Sequence, residues 1–150
     1  MREVFTTAAA VIALALAPSA ALAATPTASV LGGKVIANGR SAQVEFQLTC
    51  PKGERWYGES GVYAVPDEVP VLDPDQAPEY FIPAFGRASG TCTGKAQKVK
   101  IKVDTPGSGS GFPETLPTNC NATHDARFIG DSFRIVVSGS SDGGPRLCLR

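Results

Sequence analysis

Four cysteines, Cys50, Cys92, Cys120 and Cys148, constrain this chain more than any other feature it carries. An even set fits two bridges formed in an oxidising compartment, and the N-terminus reads as the address for one. Arg2 precedes the apolar run Ala8 to Ala17, Pro18 and Ser19 break that run, and Ala21-Leu22-Ala23 supplies a small-x-small cleavage pattern. We therefore expect residues 1–23 to be a signal peptide and the fold to be built from Ala24 onward. The apolar run falls well short of the ~20 residues that cross a bilayer. The expected product is secreted, extracellular and free of the membrane once the signal is cleaved.

None of the cysteine spacings is Cys-x-x-Cys and none has a histidine beside it, so they point to neither zinc nor redox chemistry. Three pairings are open, and the one we expect joins Cys50 to Cys92 and Cys120 to Cys148. On the chain-entropy account, closing those two loops contributes roughly 4 and 3.5 kcal/mol. Each is a good part of a domain's net stability.

The length beyond the signal is enough for one core and too little for two, so residues 34–150 are expected to form a single domain. Fourteen basic residues balance fourteen acidic ones, which leaves no global charge to gather nucleic acid. The charges are segregated, however. Glu59 to Glu79 holds six acids and no base, and Arg87 to Lys102 holds five bases and no acid.

Hydrophobic alternation supplies the secondary structure. Residues 24–33 are polar and glycine-bearing, and a flexible lead is expected there. The first ordered piece is then Lys34 to Ala37, and Asn38-Gly39 is a turn signal. From Ala42 to Cys50 the chain alternates, with Val44, Phe46, Leu48 and Cys50 on one face and Gln43, Glu45, Gln47 and Thr49 on the other. Period two over such a stretch means a half-buried strand. Trp56 to Val65 reads as a second strand, in which Gly58 or Gly61 is expected to mark a bulge. Pro66 to Pro78 carries four prolines among acids and is expected to be a surface loop. Glu79 to Phe85 reads as a short strand held to a sheet edge by Pro83. Lys95 to Val103 alternates again, setting Val99, Ile101 and Val103 against Lys98, Lys100 and Lys102. Ala126 to Ile129 and Ser132 to Ser138 complete the set as two strands or one bent strand. No stretch shows helical period with caps, so helix should be scarce. Short strands separated by turns predict an all-β, antiparallel β-sandwich.

Three short motifs carry a family resemblance. They are Thr49-Cys50-Pro51-Lys52-Gly53 at the end of an early strand, Gly90-Thr91-Cys92-Thr93-Gly94 before an alternating one, and Phe128-Ile129-Gly130-Asp131 leading into a late one. In these the chain resembles small secreted proteins of high-GC Gram-positive bacteria that are immunoglobulin-like β-sandwiches of mostly unassigned function. The resemblance implies an immunoglobulin-like fold and a first disulfide from Cys50 to Cys92. The acidic, proline-rich loop and the segment around Cys120 depart from that pattern.

Six of the ten aromatics after the signal, Trp56, Tyr57, Tyr63, Tyr80, Phe81 and Phe85, fall between residues 56 and 85. Adjacent members of a strand point to opposite faces, so one of Trp56-Tyr57 and one of Tyr80-Phe81 should lie outside the core or under a loop. Exposed aromatics beside carboxylates suit contact with a protein or a carbohydrate, and Trp56, Tyr57, Tyr63, Tyr80 and Phe81 are the candidate binding residues. Asp67, Glu68, Asp73, Asp75 and Glu79 offer oxygens of the kind calcium takes. Yet the loop lacks the glycine of the known Asp-rich calcium loop, and Pro70, Pro74 and Pro78 limit how it can wrap an ion. No metal site and no cofactor are expected. The Lys98, Lys100, Lys102 stripe reads as the outward face of a lysine-protected strand.

Catalysis has little footing. Gly139-Ser140-Ser141-Asp142-Gly143 matches a nucleophile elbow by letters only, since that motif needs a helix after it and His124 comes before the serine. Asp125 would point away from His124 on a strand. The expectation is a non-catalytic, monomeric extracellular module that contacts a protein or carbohydrate through residues 56–85. A secreted protease inhibitor is the alternative, although nothing here resembles the Cys-Pro-rich reactive loop of the bacterial subtilisin inhibitors.

Overall fold

The computed structural model describes residues 25–67, 81–107, 115–139 and 146–150. Among them run seven strands: β1 (Thr27–Ile36), β2 (Ser41–Thr49), β3 (Arg55–Ala64), β4 (Ile82–Thr91), β5 (Gln97–Asp104), β6 (Thr123–Gly130) and β7 (Arg134–Gly139). A single 3-10 turn at Ala37–Gly39 joins β1 to β2. All strand neighbours are antiparallel and belong to one sheet in the order β1-β2-β5-β4-β3-β6-β7. The signal-peptide expectation falls on residues outside the described part.

The period-two reading of β2 holds residue by residue. Val44, Phe46, Leu48 and Cys50 are fully buried, and on β5 Ile101, opposite Val44, and Val99, opposite Phe46, line the same core from the next strand. Across that core stand Trp56 and Val62 of β3 and Phe128 of β6. The Phe128 ring meets Phe46 edge-on with centroids 5.2 Å apart and Trp56 at 5.9 Å. Side chains of this size each contribute about 1.5–3 kcal/mol on burial, so these rings bind the β2 side of the sheet to the β6 side.

That contact is possible because the sheet curls at one seam. β3 and β4 pair along their whole lengths, from Arg55 opposite Thr91 to Ala64 opposite Ile82. β4 and β5 pair only at Phe85 with Asp104 and Gly86 with Val103. A side-chain methyl at Gly86 would fall inside the van der Waals radius of the Lys102 carbonyl oxygen, so the two strands meet there at a distance only glycine permits. All-β and antiparallel is therefore the observed class, but as one curled sheet rather than two separate ones.

Both expected disulfides form, Cys50 with Cys92 and Cys120 with Cys148, as suits an oxidising environment. The first links the residue after β2 to the residue after β4. The second holds the tail in place as a strap. Leu147 donates its N–H to Ala122 at 2.8 Å, Gly33 donates to Cys148 at 3.1 Å, and Val35 donates to Arg150 at 2.7 Å. Leu147 and Leu149 are buried beneath it. The tail thus runs parallel to part of β1 and ties that edge to the start of β6.

Three expectations need correction. The lead at 24–33 is already strand from Thr27, because β2 offers a ladder from Thr27–Thr49 to Ile36–Ser41 and a bulge between Val30 and Gly32 absorbs the break in alternation. Gly58 and Gly61 mark no bulge: both lie in unbroken register. The strand expected at Glu79 to Phe85 runs on to Thr91 and lies inside the strand order, although Pro83 sits beyond the two-pair seam, where β4 has no second neighbour.

Candidate surface on the outer face of β4, β3, β6 and β7

Strand alternation sorts β3 into two faces. Trp56, Gly58, Val62 and Ala64 enter the core, and Tyr57, Glu59, Gly61 and Tyr63 face away from it. The register then assembles the outer face from distant parts of the chain. Gly61 lies opposite Phe85 on one side and Asp125 on the other. Glu59 lies opposite Arg87 and Arg127, and Tyr57 opposite Ser89 and Ile129. β7 extends the rows with Val136 beside Arg127 and Ser138 beside Asp125.

A groove of about 600 Å³ opens on this face, with Gly61 and Ser60 on its floor and Tyr63, Phe85, Arg87, Asp125 and Arg127 around it. Tyr63 packs edge-on against Phe85 with ring centroids 5.8 Å apart, and against Phe81 at 6.5 Å. Glu59 accepts a hydrogen bond from the Tyr57 hydroxyl at 3.0 Å and faces the Arg87 guanidinium at 3.3 Å. Asp125 reaches over β3, so that a methyl at Gly61 would collide with its Oδ1. Burial raises the Tyr63 phenol above its ordinary range, and the nearby Asp125 charge adds to the rise. The Tyr57 phenol is raised by desolvation and by its bond to Glu59.

The same face carries nearly all the large apolar side chains that water can reach. Among the described residues these are Leu31, Tyr57, Phe85, Ile129 and Val136. Every one except Leu31 belongs to the rows just described. Phe85 is 52% exposed and Val136 61%.

Of the residues expected from the sequence, Tyr57 and Tyr63 lie on this surface, and Phe81 leans on Tyr63 at its end. Trp56 points the other way and is 6% exposed, held in the core against Phe128, so it is not part of the surface. Tyr80 lies outside the described residues. Sequence reasoning missed Gly61, Arg87, Asp125 and Arg127, and left Phe85 out of the candidate set. Phe85 alternates with buried Ile82 and Ala84, so its outward direction had a signal; the others are united only by register.

His124 sits beside Asp125 on the inward face and is 3% exposed, with neither ring nitrogen hydrogen-bonded. Burial lowers its pKa below the ordinary value, against an opposing pull from Asp125. Ser140 lies outside the described residues. Of the acidic loop, only Pro66 and Asp67 are described; Asp67 accepts a 2.7 Å hydrogen bond from Asn119. On the outer face of β5, Lys98 pairs with Glu45 at 3.2 Å and Lys102 with Asp104 at 2.9 Å, exposed contacts that contribute little to stability. Among the described residues no group of three or more His, Cys, Asp or Glu is placed to hold a metal ion.

No family model matches the chain, and no curated protein matches it. Among solved structures it is similar to macromomycin, at 15% identity over 76% of this chain and 96% of that one. The TM-score of that pair is 0.31, which carries no argument about fold or function.

Proposed function

We propose that the protein is a secreted, non-catalytic binding module that engages an extracellular protein through the outer face of β4, β3, β6 and β7. A sheet face on which exposed aromatic and aliphatic side chains are interleaved with charged ones is suited to contact with a protein. The gathering of Tyr57, Phe85, Ile129 and Val136 on one side of the sheet is the observation that carries the reading. Aliphatic Ile129 and Val136 beside the aromatics suit a protein partner better than a sugar ring, which favours flat aromatic platforms. The scaffold reading that goes with it is an immunoglobulin-like sandwich. Its support is the grouping of β1-β2-β5 against β3-β6-β7 with β4 shared at the seam.

The test is capture of partners from culture supernatant by the immobilised protein, compared with a Phe85→Ser, Val136→Ser variant. Truncating the two most exposed apolar side chains of the face should weaken a captured partner by about 30-fold or more. Partners held equally by both forms, or glycans bound on an array in place of protein, would remove the proposal.

A further inference from the structure

We infer that the groove over Gly61 receives a lysine or arginine side chain of the partner, a conclusion that rests on the binding face proposed above. The floor of the groove is a point with three defined neighbours. An atom placed where a Cβ of Gly61 would stand lies 3.4 Å from both Phe85 Cε1 and Tyr63 Cε2, and against the carboxylate oxygen of Asp125. Two aromatic edges and one carboxylate therefore converge over Gly61, filling the place a Cβ would take, and the groove opens beside them.

The charges around that point are unequal in their engagements. Glu59 is satisfied by the Arg87 guanidinium and the Tyr57 hydroxyl. Asp125 has no hydrogen-bond or ion-pair partner among the described residues, and neither has Arg127. An unpaired carboxylate beside two aromatic rings in one groove matches a long basic side chain in both of its parts. The methylene stem lies along the rings of Tyr63 and Phe85, and the charged head meets the carboxylate. Arg127, two residues along the same strand face and thus about 7 Å away, disfavours a second cation there and suits an acidic group. The recognised feature is then a basic side chain with an acidic neighbour one strand-repeat distant.

The first probe is the blocked tripeptide Gly-Lys-Gly, with Gly-norleucine-Gly as its uncharged match, titrated into the isotopically labelled mature protein. Saturable amide shifts are expected at Gly61, Phe85 and Asp125 with the lysine peptide. Both the norleucine peptide and the Asp125→Asn variant should bind about tenfold more weakly, as fits loss of one charge-assisted contact. Asp125→Asn keeps the shape of the notch, and an unchanged thermal unfolding midpoint shows that the fold is kept. No saturable shift at Gly61, or equal binding of the two peptides, overturns the inference. Capture of the natural partner separates the two levels of argument. If Phe85→Ser abolishes capture and Asp125→Asn leaves it intact, the face remains the contact surface and the basic-side-chain assignment is wrong; if neither variant matters, both are wrong.

Discussion

Replacing Gly86 by alanine should open the sheet at its seam. The added methyl would overlap the Lys102 carbonyl oxygen, which is backbone and cannot swing aside. β4 and β5 must separate, and they are joined by only two residue pairs. Losing those hydrogen bonds costs about 1 kcal/mol each, and forcing volume into a packed site costs about 1–3 kcal/mol more. Alanine recovers about 0.4–1 kcal/mol by restricting the unfolded chain. The net expectation is a loss of about 2–4 kcal/mol. At a urea slope of ~2 kcal/mol per molar, mid-range for small domains, the midpoint should fall by about 1–2 M. Gly107→Ala is the control, because nothing stands within contact of a methyl there; it should be neutral or slightly stabilising. Urea curves read by Trp56 fluorescence, with both disulfides intact, measure the two variants side by side. A Gly86→Ala midpoint matching that of Gly107→Ala would refute the claim that glycine is what lets the sheet curl.

Two further outcomes follow from the core and the tail. His124 is buried with its pKa lowered, so the unfolded chain binds a proton near pH 6.5 before the folded chain does. Stability should therefore fall as pH drops below about 6.5, and a His124→Leu variant should show a flatter urea midpoint against pH; parallel profiles would contradict the burial argument. Removing the second disulfide by Cys120→Ser with Cys148→Ser should cost roughly 3.5 kcal/mol and free the strap. Hydrogen exchange should then quicken selectively at the Gly33 and Val35 amides, which donate to Cys148 and Arg150; unchanged protection there would show that the strap holds without its bridge.

Strands announced themselves in the sequence wherever one face met the core and the other met water. β2 and β5 alternate cleanly because Ala42, Val44 and Phe46 lie opposite Val103, Ile101 and Val99 on the core side of the ladder, with glutamines and lysines outside. β1 was legible only from Lys34, since Gly32 and Gly33 interrupt its pattern and its ordering depends on β2 and the tail. The seam was invisible for a related reason: Gly86 looks like any strand glycine until Lys102 is known to lie against it. The surface was half legible. Tyr57 and Tyr63 follow from alternation along one strand. The notch does not, because Gly61, Phe85 and Asp125 come from three strands, and only cross-strand register makes them neighbours. Asp125 drew attention as a companion for His124, yet the pleat sends the two in opposite directions.

The tail strap also has a kinetic side. Gly33 and Val35 near the beginning of the domain find their hydrogen-bond partners in Cys148 and Arg150 at its far end, so the first strand keeps a bare edge until the whole domain has emerged. Contacts of such long span form slowly, and bare edges invite neighbouring chains. A polypeptide arranged this way closes its first edge last, and in an oxidising environment the Cys120–Cys148 bond then locks the late arrival.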